Sequence, residues 1–150
     1  MLDLIRDQLN RSVPFASHTG VAILSVGAGT AQAALEQSAT SINHIGSQHA
    51  GALFTLGEAA SGAAMAGLFA ARLGQVRPVT ADAGIRYARI ARGRITATAR
   101  CDTPAEALLE RLNTDGKVSF AVEVNMTDDS GRDVAAMQVT WHVSQAAHAA

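Results

Sequence analysis

In the last third of the chain apolar residues take every second position: Val118, Phe120, Val122, Val124 and Met126, then, beyond the turn sequence DDSG, Ala135, Met137, Val139, Trp141 and Val143. A period of two sends alternate side chains to opposite faces of a strand, so these runs predict a β-hairpin with one apolar face. The N-terminal stretch keeps another period. Leu2, Ile5 and Leu9 share a face at helical spacing and Pro14 stops the pattern, which predicts a short amphipathic helix over residues 1–14. Val21–Val26 and Thr30–Glu36 read as a second hairpin about the turn GAG, and a loop of small polar residues, SATSINHIGSQ, follows.

From His49 to about Leu73 the periodicity is helical; Gly74 then suits a left-handed cap, and Pro78 prevents the helix from resuming. Beyond it GIRYARIARGRITATARC alternates about Gly93, as two antiparallel strands joined by a turn would, with Ile85, Tyr87, Ile95, Ala97 and Ala99 on the apolar side. Thr80 and Asp82 then fall in the loop before these strands, at a pocket mouth. TPAEALLERLNTDGK reads as a short helix with Thr103 as its cap, Pro104 as its first residue and Gly116 at its end. Residues 145–150 read as a frayed tail. An apolar helix of this kind cannot lie on a surface, and an antiparallel sheet has a face to bury. The prediction is a single α+β domain over residues 1–150, with a sheet of five to six antiparallel strands wrapped around one long helix.

Composition narrows the function more than the fold. Twelve basic and thirteen acidic residues leave a net charge of −1, so no global field steers the chain toward nucleic acid or an anionic membrane. One cysteine, Cys101, permits neither an intramolecular disulfide nor a thiolate metal cluster. The N-terminal residues MLDLIRDQLNRSVPF lack the apolar run of a secretory signal, and the expected location is cytoplasmic.

The long helix has one ionisable side chain between Ala50 and Ala71, Glu58, and three readings compete for it. The run is of a length that could cross a bilayer, but it is largely Ala and Gly, and a carboxylate at its centre costs about 2.5–3.5 kcal/mol on insertion. A core helix accounts for the packing: Gly57, Gly62 and Gly67 each cost about 1 kcal/mol relative to Ala, which close backbone approach would justify. It does not account for Glu58. A carboxylate amid apolar neighbours is instead suited to general acid/base work. Just upstream, Asn43, His44, Gln48 and His49 cluster at the helix start, with Gly46 and Gly51 allowing close backbone approach, and free N–H groups there attract developing negative charge. His49 and Glu58 are nine residues apart, about 13 Å along one helix, so two copies of the chain could assemble what one cannot.

The segment NHIGSQHAGALFTLGEAASG resembles the signature of hotdog-fold acyl-CoA thioesterases, in particular the phenylacetate-pathway type: Asn, a glycine-containing loop, His-Gly-Gly, an apolar stretch, then Asp or Glu. IRYARIARGRITATAR is similar to that family's apolar-basic strand, glycine turn and small-residue strand. The resemblance implies a homodimer, or a dimer of dimers, whose sheets join and whose sites lie between subunits. It implies Glu58 as the carboxylate that activates water or attacks, Gly51 as the N–H donor to the thioester oxygen, and Asn43 and His49 as orienting groups. The substrate would be an acyl-CoA or other acyl thioester, with coenzyme A as part of the substrate and no separate cofactor or metal. Ala50 stands where the family more often has the first glycine, and Gly57-Glu58 replaces the commoner Ala-Asp.

Two other functions share the fold. Hydroxyacyl-thioester dehydratases pair a histidine with a helix glutamate fourteen residues later, the separation of His44 and Glu58, but their Pro-Gly pair is here Ala52-Leu53. A hotdog dimer that binds an acyl thioester without turnover is the other. Arg86, Arg89, Arg92, Arg94 and Arg100 offer guanidinium groups to coenzyme A phosphates, although a solvated strand face is the stronger expectation for them. His18 reads as a loop or strand-end side chain, His142 as an exposed strand position and His148 as a tail residue, and Cys101 as a buried small residue at a strand end.

Overall fold

The computed structural model describes residues 1–147, and His148 with the last two alanines lies outside them. In chain order the elements are helices α1 (Leu2–Ser12) and α2 (Pro14–Thr19), strands β1 (Val21–Gly27) and β2 (Thr30–Leu35), helix α3 (Ala50–Leu68), a 3₁₀ segment (Ala70–Gln75), strands β3 (Val76–Tyr87) and β4 (Ile95–Arg100), helix α4 (Ala105–Asp115), and strands β5 (Lys117–Thr127) and β6 (Asp133–Gln145). The six strands form one sheet in the order β1-β2-β4-β5-β6-β3, every neighbouring pair antiparallel. One face of it wraps α3, the hotdog arrangement.

The β5–β6 hairpin follows its alternation closely: Val118, Phe120, Val122, Val124 and Met126 are buried and the residues between them are not. Along α3 small residues let the sheet come close. A Cβ on Gly67 would lie 2.8 Å from the carbonyl carbon of Gly27 in β1, and one on Gly62 would lie 3.2 Å from the Trp141 ring. The same ring donates its Nε1–H to Ser61 Oγ at 3.0 Å, which satisfies two polar groups inside the core.

Several elements differ from the sequence reading. Pro14 does stop α1, but it also opens α2, where a missing N–H costs nothing and φ is already helical; His18 therefore sits in a helix. The α-helix ends at Leu68, five residues early, because Phe69 leaves helical geometry to pack against Phe120, with ring centroids 5.9 Å apart. Gly74 is not left-handed. Strand β3 starts at Val76 and runs straight through Pro78, Thr80 and Asp82, so these residues are strand rather than loop. Proline is tolerated because β3 is the last strand of the sheet and, among the described residues, pairs only with β6. For the same reason β3 and β4 do not form a hairpin: β4, with buried Ile95, Ala97 and Ala99, lies between β2 and β5, while Ile85 is half-buried and Tyr87 exposed at the edge. The position before α4 is capped by Pro104 and not by Thr103, and no side chain closes it. The tail is held further than expected, since Gln145 belongs to β6 and Ala146 N–H donates to Gln75 O at 2.9 Å. Among the described residues no helix is long and apolar enough to cross a membrane.

Candidate functional site

The loop before α3 is built by its own polar side chains. Asn43 Oδ1 accepts from the N–H groups of Ile45 (3.1 Å) and Ser47 (3.0 Å), while its Nδ2 donates to Ser47 Oγ at 2.8 Å. Gly46, at φ 76°, donates its N–H to Asn43 O and closes the turn, a left-handed position that favours glycine. His44 is left exposed at the tip. Gln48 is 3% exposed, and its Nε2 donates to Leu35 O (3.3 Å) and Gly93 O (2.9 Å), tying the loop to β2 and to the β3–β4 connection.

His49 is the N-cap of α3, and its Nδ1 accepts the Gly51 N–H at 2.8 Å. An accepting Nδ1 places the ring proton on Nε2. The Gly51 donor that the resemblance assigns to a thioester oxygen is thus already engaged within this chain. Tyr87 reaches from β3 to donate its O–H to Ala50 O at 2.8 Å, and partial burial raises its phenol above the usual range.

Glu58 lies two turns further on and is half-buried. Its Oε1 accepts a hydrogen bond from Thr80 Oγ1 at 3.0 Å. Thr80 stands at a bulge, where the β3–β6 register shifts between Thr80 and Asp82, and such an irregularity re-aims side chains. The lone carboxylate of the helix therefore has a partner on the edge strand.

Beside Glu58 opens an apolar cavity of about 280 Å³. The α3 residues Ala59, Gly62, Ala63 and Met65 form one wall, Trp141 and Pro78 another, and α1, α2 and β1 the roof. Asn10 fixes that roof: its Oδ1 accepts the Ile23 N–H at 2.8 Å and its Nδ2 donates to Ile23 O at 3.0 Å, so one side chain caps the edge of β1 as a neighbouring strand would.

The remaining expected site residues lie elsewhere. Asn43, Ala50 and Arg89 line a depression under Tyr87, where Arg89 Nη1 donates to Asp133 O at 2.8 Å. His49 and Gly51 line another with His18 and Thr55. Arg86 is exposed beside Glu123 and Gln138. Of the other arginines, Arg94 pairs with Glu36 and Arg100 with Asp102, each at 3.0 Å. Glu58 and Thr80 are thus the pair one chain brings together, and Gly51 stays about 10 Å from Glu58 along the helix, from their separation of seven residues. Burial pushes the Cys101 thiol up, away from the reactive thiolate. Among the described residues no three His, Cys, Asp or Glu side chains gather as a metal site would require. The sequence reading missed Asn10 and the Ser61–Trp141 pair; the signal for the latter was the single tryptophan of the chain, placed on the buried face of β6.

The family model DUF4442, a domain of unknown function, matches residues 3–143. No curated protein matches. Among solved structures, a Pseudomonas aeruginosa protein of unknown function described as a probable thioesterase is 28% identical, with 96% of this chain and 95% of that one covered and a TM-score of 0.84. A conserved protein of the same organism is 25% identical over 92% and 98%, TM-score 0.74. A thioesterase from Staphylococcus aureus, solved as a mutant, is 19% identical over 88% and 99%, TM-score 0.73, and supports the fold alone. The likeness to hotdog thioesterases, whose specific motif lies in residues 43–62, extends in the fold to 96% of this chain through the probable thioesterase of Pseudomonas aeruginosa.

Proposed function

The chain belongs to the DUF4442 family, and we propose that it hydrolyses an acyl thioester, with Glu58 activating water or attacking the carbonyl carbon. The observation that carries this reading is the Glu58 carboxylate, held by Thr80 on the edge strand and opening onto an apolar cavity. A thioester carbonyl under attack needs a base or nucleophile on carbon, a donor on oxygen and a dry place for the acyl group. Glu58 and the cavity offer the first and third.

The donor comes from a second subunit in this reading. The outer side of β3 is unpaired at the sheet edge, and Val79 and Tyr87 are exposed along it, which suits pairing with another copy. Such a homodimer would bring the Gly51 end of the partner's helix toward Glu58. Gly51 N–H would then have to be shared with, or released by, His49 Nδ1. Asn43 holds the loop in shape, and Arg89 lies at the depression where a coenzyme A phosphate could bind. The dehydratase alternative is less favoured, because His44 is exposed at a turn tip and lines none of the cavities described.

Glu58→Ala tests the proposal. Thiol release from a panel of acyl-CoAs should fall by about 10²–10⁴-fold, the usual contribution of a positioned base. Hydrolysis unchanged in that variant rules out the mechanism, and binding of acyl-CoA with no hydrolysis by either protein leaves the non-catalytic binder.

A further inference from the structure

The polar side chains around the cavity beside Glu58 are spoken for. Asn10 is used twice on Ile23, Ser17 Oγ donates to Asn10 O at 2.9 Å, and Trp141 Nε1–H donates to buried Ser61. A ligand entering from Glu58 meets Ala59, Gly62, Ala63, Met65, Val21 and Ile23, and the two polar side chains of the roof, Asn10 and Ser17, already hydrogen-bond to backbone. A buried substituent without a partner would lose its hydrogen bonds to water.

Two measures of the cavity agree on what fits. It follows α3 from Glu58 to Met65, seven residues and therefore about 10 Å. Peptide geometry gives roughly 1.2 Å of advance per bond in an extended chain, so about eight carbons span it. Its volume of about 280 Å³ corresponds to nine or ten groups of roughly 30 Å³ each, the share of one small molecule in a liquid.

We infer that this cavity takes a straight, unsubstituted aliphatic acyl chain of up to about eight to ten carbons, with its thioester end at Glu58 and Met65 as the stop. The inference rests on the thioesterase reading and sharpens it to a substrate class. Trp141 is the only tryptophan, 7% exposed and lining the cavity, so its emission reports occupancy whether or not hydrolysis occurs.

The test uses the full chain with acetyl- to hexadecanoyl-CoA, benzoyl-CoA and hydroxybenzoyl-CoA, read by thiol release and by Trp141 emission. Affinity should rise about fourfold per methylene with chain length to about eight to ten carbons and then level or fall, because each methylene buries apolar surface until the cavity is full. Hydroxybenzoyl-CoA should be at least tenfold poorer than octanoyl-CoA. Met65→Ala should move the optimum two or three carbons longer, and Ala59→Leu, at a half-buried position, should move it shorter. The inference is overturned by hydrolysis that ignores chain length, by preference for the hydroxylated ring, or by an optimum that neither variant moves. If no thioester is hydrolysed, the emission decides alone: a saturable shift with octanoyl-CoA upholds the cavity and removes the thioesterase reading, and no shift removes both.

Discussion

Replacing Gly67 by Ala tests the packing that sets α3 inside the sheet. In an exposed helix interior the change would gain about 1 kcal/mol from helix propensity. Here the new Cβ would sit 2.8 Å from the Gly27 carbonyl carbon, nearer still to its oxygen, and 3.2 Å from Val26 Cγ1. Carbon atoms in optimal contact are about 3.5–4.0 Å apart, so helix and hairpin must separate by roughly 1 Å. The obstacle is backbone, which cannot rotate away as a side-chain tip can. Overpacking of this kind costs about 1–3 kcal/mol, and the upper end applies where backbone must move. Net of propensity, the loss is about 2 kcal/mol, or a melting temperature lower by about 4–8 °C in a chain of this size. The assay is thermal unfolding followed by circular dichroism, with Gly74→Ala as control, since that glycine has negative φ and nothing within 4 Å of where its Cβ would stand. A Gly67→Ala protein as stable as the wild type would refute the close approach of α3 to β1.

Two further perturbations separate site from scaffold. Thr80→Val keeps the shape of the β3 bulge but removes the hydrogen bond to Glu58; kcat for thioester hydrolysis should fall about tenfold with melting temperature nearly unchanged, because a bond donated by an exposed hydroxyl adds little to stability. An unaltered kcat would show that Thr80 does not position the carboxylate. In the β5–β6 turn Asp128 accepts from the backbone N–H groups of Arg132 and Ser130, and these bonds, with the Arg132 charge, hold its carboxyl below the ordinary value. A depressed folded value means stability that is complete above the unfolded carboxylate range and lost as pH falls through the folded one. The stability gap between wild type and Asp128→Asn should therefore be full near pH 7 and close in acid, measured by urea unfolding across pH; a gap independent of pH would be inconsistent with the ionic form as its source.

Residues whose local pattern and tertiary role agree were legible in the sequence. The alternation of β5 and β6 marks their buried face because that face is covered by helices, α3 and α4, along both strands. Strand pairing was less legible, since GIRYARIARGRITATAR has the same alternation whether its halves pair with each other or with distant strands. Pro78 held the missing information: a residue without an N–H fits a strand only where one side is open, which marks β3 as an edge. At the site, Glu58 was visible as a charge out of place. Its partner Thr80 is hidden behind Pro78, which marks the end of a helical pattern as well as it marks an edge strand. The engagement of Gly51 N–H by His49 depends on an imidazole turning back at the N-cap, which residue spacing does not encode.

The composition that makes α3 look like a membrane span has two separate uses. Where the helix meets β1, the missing side chain of Gly67 lets backbone approach backbone, and the space is filled. Around Ala59 and Ala63 equally small residues face α1 and α2, and there the space is left open, because Asn10 ties α1 to the Ile23 backbone and keeps the roof from settling onto the helix. Small side chains alone would favour collapse, since an unfilled apolar volume forfeits dispersion contacts. A cavity that persists beside the one carboxylate of the helix therefore has a structural cause in the roof, and the thioester reading gives that cause a purpose: the acyl chain supplies the contacts that the protein leaves unmade.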